Sequence, residues 1–83
     1  MKIIYFAWVR EKTGTAEETF ERPDGVDDVA ALIQWLKGRG EGYQTAFADP
    51  AMVRVAVNQE HVGVDHRLAD GDEVAFFPPV TGG

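Results

Sequence analysis

The sequence predicts an α+β fold: a mixed sheet of about five strands, one main helix on one sheet face, and an extended C-terminal tail. Three observations carry this. Hydrophobic residues make up 45% of the 83 residues, which supports one modest core and a single domain over 1–83. Val29, Leu32, Ile33 and Leu36 recur at the i, i+3, i+4, i+7 spacing of an amphipathic helix, whereas the other apolar runs are short and strand-like. The chain closes on Phe76-Phe77-Pro78-Pro79-Val80-Thr81-Gly82-Gly83. Prolines lack N–H donors and fix φ, so the pair ends a strand and sets residues 78–83 off as a flexible arm.

In chain order, Ile3 to Val9 reads as a strand, apolar on both faces through Ile3, Tyr5, Ala7, Val9 and Ile4, Phe6, Trp8. Such a strand is either central and covered twice or meets a partner with one face. Thr13-Gly14-Thr15 turns the chain into Ala16–Arg22, whose acidic residues suit an edge strand. After Pro23-Asp24-Gly25, Asp27 or Asp28 caps the helix. Gly38 and Gly40 suit its C-terminal end, with Lys37 and Arg39 near the negative pole. Glu41 to Ala51 is a loop or short helix under which Tyr43 and Phe47 pack. Met52–Val57 is a strand, Asn58-Gln59-Glu60 a turn into a short strand at His61 and Val62, and Leu68 a core plug in the following connector. Asp70-Gly71-Asp72 turns into the last strand. The order is β-β-α-β-β-β. The first and last strands, the most apolar, should pair in parallel at the centre. Ile3, Tyr5, Val53, Val55, Val74 and Phe76 should pack on Leu32, Ile33 and Leu36. The face left over carries Phe6, Trp8 and Phe77, an apolar patch of the kind that marks an interaction site.

Cysteine and serine are both absent, so disulfides, thiolate sites and serine or cysteine nucleophiles are excluded. The net charge of −6 argues against nucleic acid and for a partner with a basic docking surface. The N-terminal apolar run is too short for a membrane span and lacks signal-peptide form, so a cytoplasmic protein with no membrane partner is expected. His61 and His66 read as surface residues, and no metal site is expected. Chemistry is thereby pushed to the terminus. A Gly-Gly end is also what a frayed terminus looks like, but the apolar strand and Pro-Pro before it weigh against that reading. Fully extended, residues 78–83 reach about 20 Å. Without Cβ atoms, Gly82 and Gly83 can enter a channel closed to other residues. A carboxylate is a poor electrophile. Joined to AMP it gains a leaving group, and a sulfur donor can then leave a thiocarboxylate.

From Asp70 to Gly83 the chain resembles the small subunits of molybdopterin synthase, with further similarity in Tyr5-Phe6-Ala7-Trp8-Val9-Arg10-Glu11, Gly14, Val29-Ala30-Ala31-Leu32 and Ala56-Val57-Asn58-Gln59. The resemblance spans essentially the whole chain. It implies a ubiquitin-like β-grasp fold and a sulfur carrier, with no cofactor bound by this chain and no catalysis of its own. An E1-like adenylating enzyme would use ATP to activate Gly83, and a sulfur-transfer enzyme would convert it to the thiocarboxylate. The tail, Pro78, Pro79, Val80 and Thr81 followed by Gly82 and Gly83, would then enter the large subunit of a heterotetramer, where the catalytic pocket lies. There the sulfur passes to cyclic pyranopterin monophosphate. The resemblance maps docking onto Phe6 and Phe77, and Arg10 matches the family as a polar contact; Trp8 is where the interface shifts if His61 does not pack by its ring. A third patch position falls at His61, where relatives usually carry a leucine-like residue. Alternatives are a carrier for another pathway, such as thiamine synthesis, and a ubiquitin-like protein modifier.

Overall fold

The first and last strands lie side by side, as their shared apolar character predicts. The computed structural model describes residues 1–79. Its sheet has five strands: β1 (Lys2–Tyr5), β2 (Glu17–Thr19), β3 (Arg54–Val57), β4 (Glu60–Val62) and β5 (Glu73–Phe77), in the spatial order β2-β1-β5-β3-β4. β1 and β5 are parallel, and the other three pairs are antiparallel. β2 lies at one edge and has glutamates at two of its three positions, which discourages stray pairing.

Alternation sorts the side chains into two faces. Ile3 and Tyr5 on β1, Val74 and Phe76 on β5, and Val55 and Val57 on β3 lie in register and are buried. Helix α2 (Val29–Lys37) covers this face with Val29, Leu32 and Leu36, all fully buried. Burying a side chain of that size contributes roughly 1.5–3 kcal/mol. The helix starts at Asp28, whose Oδ1 accepts a 2.8 Å hydrogen bond from the Ala31 N–H. Asp27 instead pairs with Arg22 at 2.9 Å. Ile33 and Val53 are part-buried rather than central, and line an apolar groove of about 350 Å³ with Pro50. The Asn58-Gln59 turn has φ of 51° and 70°, the two left-handed residues of a tight hairpin. The Asn58 side chain bridges this turn to the next: its Oδ1 accepts from the Glu73 N–H and its Nδ2 donates to Asp72, both at 3.0 Å.

The largest departure from expectation follows β1. The predicted strand Ile3–Val9 stops at Tyr5, and α1 (Ala7–Thr13) takes over. Ala7 has a left-handed φ of 52°, which reverses the chain at a cost of about 1 kcal/mol. The Phe6 carbonyl then accepts from the Val9 N–H at 3.1 Å and the Arg10 N–H at 3.4 Å. Val9 is fully buried, so its apolar character serves a helix face rather than a strand. α1 ends at Gly14, with φ of 80°. A third helix, α3 (Glu41–Ala46), packs across α1, and Gly42 sits against the Lys12 carbonyl where a Cβ has no room. A single 3-10 turn covers Pro50–Met52. The helical layer among the described residues therefore has three helices, with α2 the longest at nine residues.

Candidate functional site

The opposite face of the same strands is part-exposed at Ile4, Ala75 and Phe77 and buried at Ala56. Ile4 of β1 pairs with Ala75 of β5, and Ala75 with Ala56 of β3, which pairs with His61 of β4. The aliphatic members of this row form an apolar floor. Phe77 lies at one end of it, part-exposed, with its ring 5.1 Å from the exposed His61 ring and tilted by 59°. Phe6 lies just beyond β1 in an extended conformation and remains 47% exposed, while its N–H donates to the Phe76 carbonyl at 3.0 Å. That bond continues the β1–β5 ladder by one residue and keeps Phe6 beside Phe77. The left-handed Ala7 immediately after it prevents Phe6 from being drawn into the helix.

The structure thus brings Phe6, Phe77 and His61 to one face. It separates Trp8, which the continuous-strand reading puts among them: Trp8 is carried by α1 and packs, part-buried, against the core. Arg10 is exposed on the same helix and makes no ion pair among the described residues. Pro78 and Pro79 leave β5 without regular structure and are part-exposed. Val80, Thr81, Gly82 and Gly83 lie outside the described residues.

The strongest electrostatic feature lies elsewhere, at a residue the motif reading passes over. Glu18 of β2 accepts hydrogen bonds from the Tyr5 and Tyr43 hydroxyls at 2.8 Å each, and from Arg39 at 2.6 Å. The Arg39 guanidinium in turn lies over the rings of Phe20, Trp35 and Tyr43 at 5.0–5.6 Å. Burial works to raise the Glu18 carboxyl, but the donors from Tyr5, Arg39 and Tyr43 outweigh it and hold the group below the ordinary glutamate range. Burial, and then the bond to Glu18, push the Tyr5 hydroxyl far above the ordinary phenol range. This network ties α3 and the end of α2 to the sheet. A sequence signal exists: alternation turns Glu18 inward on β2, and an inward carboxylate demands partners.

Among the described residues no group of three or more His, Cys, Asp or Glu is placed to hold a metal, and no helix is long and apolar enough to cross a membrane. What the body offers is an apolar face beside the point where Pro78 and Pro79 leave β5.

Comparison with known proteins agrees with that geometry. A model of the ThiS family matches residues 3–83. The molybdopterin synthase sulfur carrier subunit of Escherichia coli is 45% identical over 83 residues, covering 100% of this chain and 99% of that one. A solved structure described as a putative molybdopterin converting factor, subunit 1, from Pyrococcus furiosus superposes with a TM-score of 0.77 at 38% identity, covering 95% of each chain. The small archaeal modifier protein 1 of H. volcanii gives 0.78 at 28% identity, covering 96% of this chain and 97% of that one. The architecture shared with them is the ubiquitin-like β-grasp. The chain belongs to the ThiS family, alongside the molybdopterin synthase sulfur carrier subunits to which it is similar.

Proposed function

We propose that this protein is the sulfur carrier and small subunit of a molybdopterin synthase. The observation that carries the reading is the 45% identity to a molybdopterin synthase sulfur carrier subunit across the whole chain. Gly83 is the reactive residue. Its carboxylate attacks the α-phosphorus of ATP on an adenylating enzyme, pyrophosphate leaves, and the resulting acyl-adenylate is open at the carbonyl carbon because glycine has no side chain. A sulfur-transfer enzyme supplies the sulfur that displaces AMP, leaving a thiocarboxylate. Gly82 keeps the arm narrow, and Pro78 to Thr81 span the distance from the sheet to the large subunit's pocket. That pocket supplies the catalysis, while this chain supplies sulfur to cyclic pyranopterin monophosphate, two loaded carriers per product in a heterotetramer of two large and two small subunits.

The exposed face gives the carrier its grip. Phe6 and Phe77 fill pockets on the large subunit, with His61 packing through its ring on Phe77. Aromatic side chains that fill pockets on a partner and are shielded from water there are a common form of binding hot spot. These steps need ATP only on the activating enzyme, and they belong in the cytoplasm, where ATP and the partner enzymes are found.

The test is reconstitution. Carrier loaded as thiocarboxylate, mixed with the large subunit and cyclic pyranopterin monophosphate, should yield molybdopterin, and carrier lacking Gly83 should yield none. A second reading, protein modification, is favoured by the structural likeness to a small archaeal modifier protein. It predicts conjugates in which the Gly83 carbonyl is joined to lysines of other proteins. Conjugates without molybdopterin formation would overturn the synthase reading.

A further inference from the structure

The open face carries a cation beside its aromatic patch. The chain has a net charge of −6, and the ion pairs among the described residues take up Lys2, Arg22 and Arg39. Arg54 is in none of them. It is exposed at the first position of β3 and is the direct partner of Phe77 across the antiparallel β3–β5 pair. Residues directly opposite in such a pair share a face, with Cβ atoms about 5 Å apart. The adjacent pair, Val55 and Phe76, is buried on the helix side, so Arg54 and Phe77 both belong to the open side. On its other flank β4 ends at Val62 and is followed by Gly63, which presents no side chain towards Arg54. An arginine outside the ion pairs of the described residues therefore stands beside the part-exposed Phe77 at the end of β5.

We propose that Arg54 is a specificity-determining residue of the docking face, and that it receives a carboxylate of the large subunit at the rim of the pocket that takes Phe77. The inference rests on the docking reading above. A guanidinium presents a planar fork that matches a carboxylate in two parallel hydrogen bonds. Closing the apolar floor over Phe6 and Phe77 removes water from around that pair and strengthens it. A partner bearing a basic residue there is rejected by like charge, so the position selects among partners as well as binding one. The net charge predicts a basic partner surface, and this patch is a local exception to it.

The experiment measures affinity of the full chain for its large subunit at low and high salt, for wild type, Arg54→Gln, Arg54→Glu and Arg54→Lys. Arg67→Glu serves as control for net charge, since Arg67 is exposed beside the start of α2. Arg54→Glu should bind at least about tenfold more weakly, Arg54→Gln about three- to fivefold, and Arg54→Lys less than either. The salt dependence should be shallower for Arg54→Gln than for wild type. Melting temperatures of the variants should match wild type. Affinity within twofold of wild type for Arg54→Glu, or equal losses for Arg54→Glu and Arg67→Glu, would overturn the inference while leaving the synthase reading intact. Failure of the wild-type chain to bind the large subunit would overturn both.

Discussion

Two sides of one sheet can be compared residue by residue. On the helix side Ile3, Tyr5, Val74 and Phe76 are buried. On the other side the intervening residues Ile4, Ala75 and Phe77 stay part-exposed, with Phe6, His61 and Arg54 more open still. The strands and registers are the same, so the difference lies only in what covers each face. The first side therefore sets stability, and the second is free to set recognition. Substitutions should separate the two: a change on one side should move melting and spare docking until the fold fails, and a change on the other should do the reverse.

The largest expected effect is on the buried side. Leu32→Ala should cost about 2–5 kcal/mol in urea unfolding, because Leu32 is fully buried in α2 against the sheet. A loss below about 1 kcal/mol would mean that α2 does not anchor the core. Next come Phe77→Ala and Phe6→Ala, each expected to weaken docking to the large subunit by about 2 kcal/mol, roughly 30-fold, with little change in melting. Normal docking by both variants would remove the exposed face from the account.

Glu18→Gln sharpens the comparison from the stabilising side, with an expected cost of about 1–2 kcal/mol, since Arg39 and two tyrosine hydroxyls lose a charged acceptor. The carboxyl lies below its ordinary value of 4.5 in the folded state. As pH falls the unfolded chain therefore takes up the proton first. Glu18's contribution is full above that ordinary value and is lost as pH drops through the folded value. Acid titration of stability should be flatter in Glu18→Gln than in wild type, and identical slopes would show that the network does not act as a unit.

The same comparison explains what is legible in the sequence. Core periodicity is written directly in Leu32, Leu36, Val55 and Phe76, so the parallel central pair and the main helix can be read from the order of residues alone. α1 cannot. Val9 and Trp8 have strand-like composition, and the break at Ala7 depends on a left-handed backbone that alanine does not advertise. For that reason periodicity puts Trp8 on the wrong surface and Phe6, one residue before the break, on the right one. The Glu18 network is hidden because its partners come from three separate places in the chain. Arg39, between two glycines, reads as a helix-end charge rather than as a ligand for β2. Arg54 is visible only as an alternating polar residue, and its pairing with Phe77 follows from the strand register.

The division of labour is tested most directly at the C-terminus, by deleting Gly83 and recording melting temperature, affinity for the large subunit, and intact mass after incubation with the adenylating enzyme, ATP and a sulfur donor. The expected result is melting unchanged, affinity largely retained, and no gain of the mass difference for sulfur replacing oxygen, whereas wild type gains it. A deletion variant that still acquires that sulfur would contradict the assignment of Gly83 as the carrier residue.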